Sequence, residues 1–161
     1  MNRDAVKAHN VKMTLFGETP VTTSAVAERV LIVEDEPQVA AQLQGFVKEA
    51  APHADVRTVG DGAGALRAVK ERMPELMLLD LHLPGMNGLE VCLFMRTTPG
   101  SDRCTIVPVS GKVGEHDRRL LADLGIQHFL AKDMSTRERL HALLRLLTTR
   151  RSGSYKSITG A

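Results

Sequence analysis

Aromatic residues are scarce in this 161-residue chain: they make up 3%, with no tryptophan and one tyrosine. That leaves too few stacking surfaces for an aromatic-lined sugar cleft or a single-stranded nucleic-acid groove, and the core must be aliphatic. Only two cysteines are present, Cys92 and Cys104. They make no disulfide framework and show no zinc spacing, so they are expected to be reduced packing residues in a cytoplasmic protein. No apolar run reaches the length of a membrane span, and no signal-peptide core opens the chain. A strong charge imbalance is also missing, since 21 basic against 19 acidic residues leave +2. Residues 145–161 hold Arg145, Arg150, Arg151 and Lys156 without an acid, for +4. Residues 29–144 carry 14 basic and 16 acidic side chains, for −2, and residues 1–28 balance at three each. The basic character belongs to the tail, and direct nucleic-acid binding by this chain is not expected.

What is present is ordinary globular composition, 43% hydrophobic and 25% charged, at a length that suits one domain. From residue 29 onward, short apolar runs alternate with amphipathic stretches. Strands are expected at Arg29–Glu34, Asp55–Val59, Leu76–Leu79, Thr105–Val109 and Gln127–Ala131. Helices are expected at Pro37–Ala50, Gly62–Met73, Asn87–Thr97, Glu115–Leu124 and Thr136–Leu147. Pro37 suits a first helical turn, where its missing N–H has no partner to lose. Five strand–helix units with unalternated strands imply an α/β fold: a five-stranded parallel sheet with helices on both faces. The domain is expected over residues 29–148, after a partly disordered extension (1–28) and before a basic flexible tail (149–161). Val11–Phe16 suits either a strand or a short helix.

In such sheets the chemistry lies beyond the carboxyl ends of the strands. There the sequence places Glu34-Asp35-Glu36, Asp80, Ser110 and Lys132. Crowded carboxylates repel by a few kcal/mol per pair, about what a shared proton or, better, a hard divalent cation offsets. Oxygen-only ligands with room for water suit magnesium. A metal, a lysine and a hydroxyl donor together suit a phosphoryl group, with Asp80 as nucleophile forming an acyl phosphate.

The segments VLIVEDEP, LMLLDLHLPGMNGLEV, IVPVSG and FLAKD, in this order and on these elements, resemble the signature segments of the response-regulator receiver domain. The resemblance covers about residues 29–148 and implies a (βα)5 flavodoxin-like fold in a two-component or phosphorelay system. It implies Asp80 as phosphoacceptor, Asp35 as a magnesium ligand, and Glu34 acting through water. It further implies the His82 main-chain carbonyl as a metal ligand, Ser110 and Phe129 as the switch pair, and Lys132 on the phosphoryl group. His82 and Lys112 flank the pocket at positions expected to tune phosphorylation and hydrolysis rates. The implied partners are a sensor histidine kinase or a histidine phosphotransfer protein, then a downstream protein or a second copy of the chain. No membrane partner is expected.

The match has departures. Glu34 stands where aspartate is commoner, and Asp133 follows Lys132 where many receivers have proline. A non-prolyl cis bond costs about 2.5–4 kcal/mol, so the family's cis peptide is not carried over to this position. The Lys132-Asp133-Met134 stretch is similar to receivers of LuxR-type regulators, which often lack that proline. Glu34 and Asp35 also read as a helix N-cap pair. One rival is a small magnesium-dependent aspartyl-phosphate phosphohydrolase. Its dehalogenase-like form needs a second aspartate two residues after the nucleophile, where this chain has His82. No effector segment is apparent after residue 148, so the chain reads either as a single-domain regulator or as the receiver fragment of a DNA-binding regulator.

Overall fold

Strands written almost wholly in Val, Ile, Leu and Met need cover on both faces. The computed structural model describes residues 27–153 and supplies that cover. Its elements are β1 (Arg29–Val33), α1 (Pro37–Ala50), β2 (Asp55–Val59), α2 (Gly62–Glu71), β3 (Leu76–Leu79), α3 (Gly88–Thr97), β4 (Thr105–Ser110), α4 (Glu115–Asp123), β5 (Leu130–Ala131) and α5 (Thr136–Gly153). The strands form one parallel sheet in the order β2-β1-β3-β4-β5. The order reverses between β1 and β3, which opens a crevice at their carboxyl ends.

Strand alternation divides the core in two. Leu31 and Val33 of β1, Met77 and Leu79 of β3, and Ile106 of β4 face α2, α3 and α4. Val30, Ile32, Leu76, Leu78, Val107 and Val109 face α1 and α5, where they meet Leu43, Val47, Leu140, Leu143 and Leu144. Burying one such side chain contributes about 1.5–3 kcal/mol. Two interior layers leave the sheet no freedom to slip in register, because a one-residue shift would exchange them.

Both cysteines lie in the first layer and are free thiols. Burial pushes each thiol from 9.0 up to about 12. They should therefore resist iodoacetamide at pH 8 in the native protein and react only on unfolding. A thiol raised by folding favours the native state fully below about pH 9. That contribution is then lost progressively as pH climbs toward about 12. Alkaline denaturation should begin in that window and start higher in the Cys92→Ser, Cys104→Ser double variant, as read by circular dichroism.

Most element boundaries lie within two residues of the sequence expectation; two differ by more. The last strand is Leu130–Ala131 alone, without residues 127–129. Among the described residues it is an edge strand paired only to β4, through Val109 and Ser110, with no second neighbour to extend it. The last helix continues past Leu147 to Gly153, because no glycine or proline interrupts it before that residue. A 3-10 turn at Ser101–Arg103, not expected, joins α3 to β4. The expectations placed on residues 1–26 and 154–161 fall outside the described residues.

Candidate functional site

The ladder fixes the acids first. Backbone bonds continue past the strand ends, from Glu34 N to Val59 O at 3.0 Å and from Asp80 N to Val33 O at 2.9 Å. Glu34 and Asp80 are thus tied to neighbouring strands and buried, while Asp35 is exposed at the rim. Carboxylate oxygens from these three residues lie within 4.8 Å of one another. Two full charges at that separation repel by about 3–4 kcal/mol at an effective dielectric near 20.

Lys132 answers part of this. Its Nζ lies 2.7 Å from Glu34 Oε2 and 3.0 Å from Asp80 Oδ2. Burial works against the ammonium, but its pairing with Glu34 and Asp80 overrides that and holds its pKa above the usual lysine value. Burial also raises the Glu34 carboxyl, against the pull of Lys132. Glu34 Oε2 is buried without an aligned hydrogen-bond donor and is held by charge alone. Three carboxylates against one ammonium leave a formal −2. A buried, unsatisfied oxygen in an oxygen-only cluster of that charge fits a hard dication. The N-cap reading of these acids fails: the N-cap of α1 is Glu36, and its side chain makes no cap bond.

The amine reaches this point without proline. Asp133 Oδ1 accepts from Ser135 N at 2.8 Å, and Asp133 N donates to Thr136 Oγ1 at 3.0 Å. Thr136 Oγ1 in turn contacts Ala131 O at 2.6 Å. The Ser135 bonds hold the Asp133 carboxyl below its usual value. This turn fixes the loop after β5 with side-chain bonds, and every peptide in it is trans.

Three further predicted residues, His82, Ser110 and Lys112, lie beside the cluster. His82 N donates to Asp80 Oδ1 at 2.9 Å, and His82 Nδ1 lies 3.0 Å from Ser110 Oγ. Lys112 contributes its carbonyl, which accepts from Ser110 Oγ at 3.1 Å, while its side chain is exposed. Phe129 stays apart. Its half-buried ring lies under Arg118 of α4, whose Cζ is 4.7 Å from the ring centre.

Sequence reasoning missed Gly88. A Cβ on it would stand 2.5 Å from Asp80 O and 2.6 Å from Leu81 Cα. Gly88 N donates to Leu81 O at 3.1 Å, so the start of α3 is pressed against the backbone that carries Asp80. The capping box of Asn87 and Glu90 fixes that helix start. A glycine in a first helical turn, where it has no propensity advantage, was the available signal.

The family model of the response regulator receiver domain matches residues 30–145. The chain belongs to the response regulator receiver family. DNA-binding response regulator MtrA of Mycolicibacterium smegmatis is 36% identical over 127 residues, which are 73% of this chain and 51% of that protein. Transcriptional regulatory protein BaeR of Escherichia coli is 39% identical over 110 residues, 68% of this chain and 44% of that protein. The chain spans about half the length of these curated relatives. Among solved structures, the receiver domain of sensor histidine kinase PA1611 from Pseudomonas aeruginosa superposes with a TM-score of 0.66 at 23% identity. The match covers 76% of this chain and 98% of that one, which was solved with a magnesium ion in its active-site cleft. The signal receiver domain of a protein assigned as a Luxo repressor, from Vibrio parahaemolyticus, gives 0.69 at 24% identity over 84% of this chain and all of that one. Among the described residues, no helix is long and apolar enough to cross a membrane.

Proposed function

We propose that this receiver accepts a phosphoryl group on Asp80 from a phosphohistidine of a sensor kinase or phosphotransfer protein, in the cytoplasm. The observation that carries the reading is the convergence of three acids and one lysine at the sheet's carboxyl edge, with Lys132 bonded to Asp80 across 52 positions of sequence. In the transfer, the P–N bond of the donor breaks as an O–P bond forms to an Asp80 oxygen, and the donor imidazole leaves.

Asp35 and Asp80 would hold magnesium directly, with Glu34 through water and the His82 carbonyl completing the protein's share. When bound, the ion neutralises phosphoryl oxygens and relieves carboxylate repulsion. Lys132 moves from pairing with Asp80 to pairing with the added phosphoryl group. Ser110 then donates to a phosphoryl oxygen, a charge-assisted bond contributing about 1.5–3 kcal/mol. That is a modest bias, about tenfold to a hundredfold in a two-state equilibrium. The Phe129 ring leaves Arg118 and follows Ser110 inward, which reshapes the face of α4, β5 and α5 for a protein partner or a second copy.

The Asp80→Asn variant should take up no label from radioactive acetyl phosphate. Chelating magnesium should abolish labelling of the native protein to the same extent. Persistent labelling of the variant would place the phosphoacceptor elsewhere.

A further inference from the structure

We propose that His82 is a positioning residue that latches the Ser110 hydroxyl away from Asp80 until a phosphoryl group arrives. The inference rests on the phosphoacceptor reading above and adds a device that sets its threshold.

Proton counting makes the assignment. Ser110 Oγ touches two groups, Lys112 O at 3.1 Å and His82 Nδ1 at 3.0 Å. A carbonyl only accepts, so the single hydroxyl proton goes to Lys112. The hydroxyl must then accept at its other contact, and His82 Nδ1 must carry the donated hydrogen. Nδ1 also lies 4.0 Å from Asp80 Oδ1, where a hydrogen on that nitrogen is favoured over a lone pair. The imidazole is itself held at its base, because His82 N is bonded to Asp80 Oδ1. Both bonding capacities used by Ser110 are thus spent away from Asp80.

To reach a phosphoryl oxygen, the hydroxyl must give up Lys112 O and rotate out of the His82 bond. A neutral bond of this kind corresponds to about threefold to tenfold in an equilibrium constant. The His82 ring is 64% exposed, so it can be removed without opening the core.

The test is calorimetric titration of the full chain with beryllofluoride, an analogue of the aspartyl-bound phosphoryl group, in magnesium. His82→Ala should tighten binding by about threefold to tenfold. His82→Asn, whose amide N–H can stand where Nδ1–H stands, should restore the native value. His82→Gln, whose amide corresponds to the other ring nitrogen, should behave like His82→Ala. In a Ser110→Ala background the effect of His82→Ala should disappear. A gain that persists without Ser110 would make His82 a mere shield over the pocket and overturn the latch. Unchanged or weaker binding in His82→Ala would overturn it too, the second result making the imidazole a phosphoryl ligand. If the native protein binds no beryllofluoride, the phosphoacceptor reading fails and the latch falls with it. Binding that is native in strength but indifferent to His82 sinks the latch alone.

Discussion

Lys132→Met should lower stability by about 3 kcal/mol, the largest loss expected from one substitution at this site. The mechanism is the removal of one partner from a buried charge cluster. The Glu34 side chain is fully buried and Asp80 nearly so, and Lys132 is the cation paired with both. Without the ammonium, two carboxylates share a poorly solvated crevice with backbone N–H groups and the His82 ring beside them but, among the described residues, no lysine or arginine paired to either. The figure sits at the low end for broken buried pairs because Lys132 keeps 20% of its side chain in water. Magnesium should recover part of the loss. Ligand present at tenfold excess over Kd stabilises by about 1.4 kcal/mol, and a site stripped of its lysine should bind the ion more tightly than the native one. Urea titrations with and without magnesium measure both effects. A variant as stable as the native protein in chelator would mean that the cluster is less charged than its geometry implies.

Gly88→Ala should have a comparable effect by a different route. The new methyl group would stand 2.5 Å from Asp80 O and 2.6 Å from Leu81 Cα, both backbone atoms. Neither can rotate aside as a side-chain tip would. Overpacking of this kind costs about 1–3 kcal/mol, and a backbone-on-backbone collision belongs at the upper end. Relief requires α3 to back away or the Asp80 loop to move. The loop carries the proposed nucleophile, and small misplacements of a reacting atom cost on the order of a hundredfold in rate. Labelling by acetyl phosphate should therefore slow by at least about tenfold even under conditions where the variant is folded. Destabilisation with an unchanged labelling rate would show that the helix, and not Asp80, absorbs the strain.

These two residues mark what the sequence discloses. Lys132 was legible because it follows a short apolar run closing a fifth strand–helix unit, and parallel topology carries such positions to one edge. Glu34, Asp35, Asp80 and Ser110 were legible on the same ground. Gly88 was not, because the steric demand comes from a backbone segment packed across the chain turn that follows β3. The bond between His82 and Ser110 joins two loops 28 positions apart and depends on one side-chain torsion, which no periodicity encodes. The placement of Arg118 over Phe129 is similarly a matter of how α4 docks. The shortness of β5 is not legible either, because an apolar pattern does not say how many neighbours a strand has. The end of α5 is not legible because a turn to basic and polar residues after Leu147 changes composition without ending a helix.

The two-residue pairing of β5 has a consequence for how the molecule fluctuates. Beyond its ladder contacts with Val109 and Ser110, this seam is closed on the β4 side by a Lys132 N–H bond to Ser110 O. With so few backbone links, the pairing of the Lys132 ammonium with Glu34 and Asp80 carries much of the attachment of this strand's carboxyl end to the inner strands. In the proposed transfer the ammonium leaves Asp80 for the phosphoryl group, which would loosen the same seam that carries Phe129, so charge at the pocket and slack at the sheet's edge would change together.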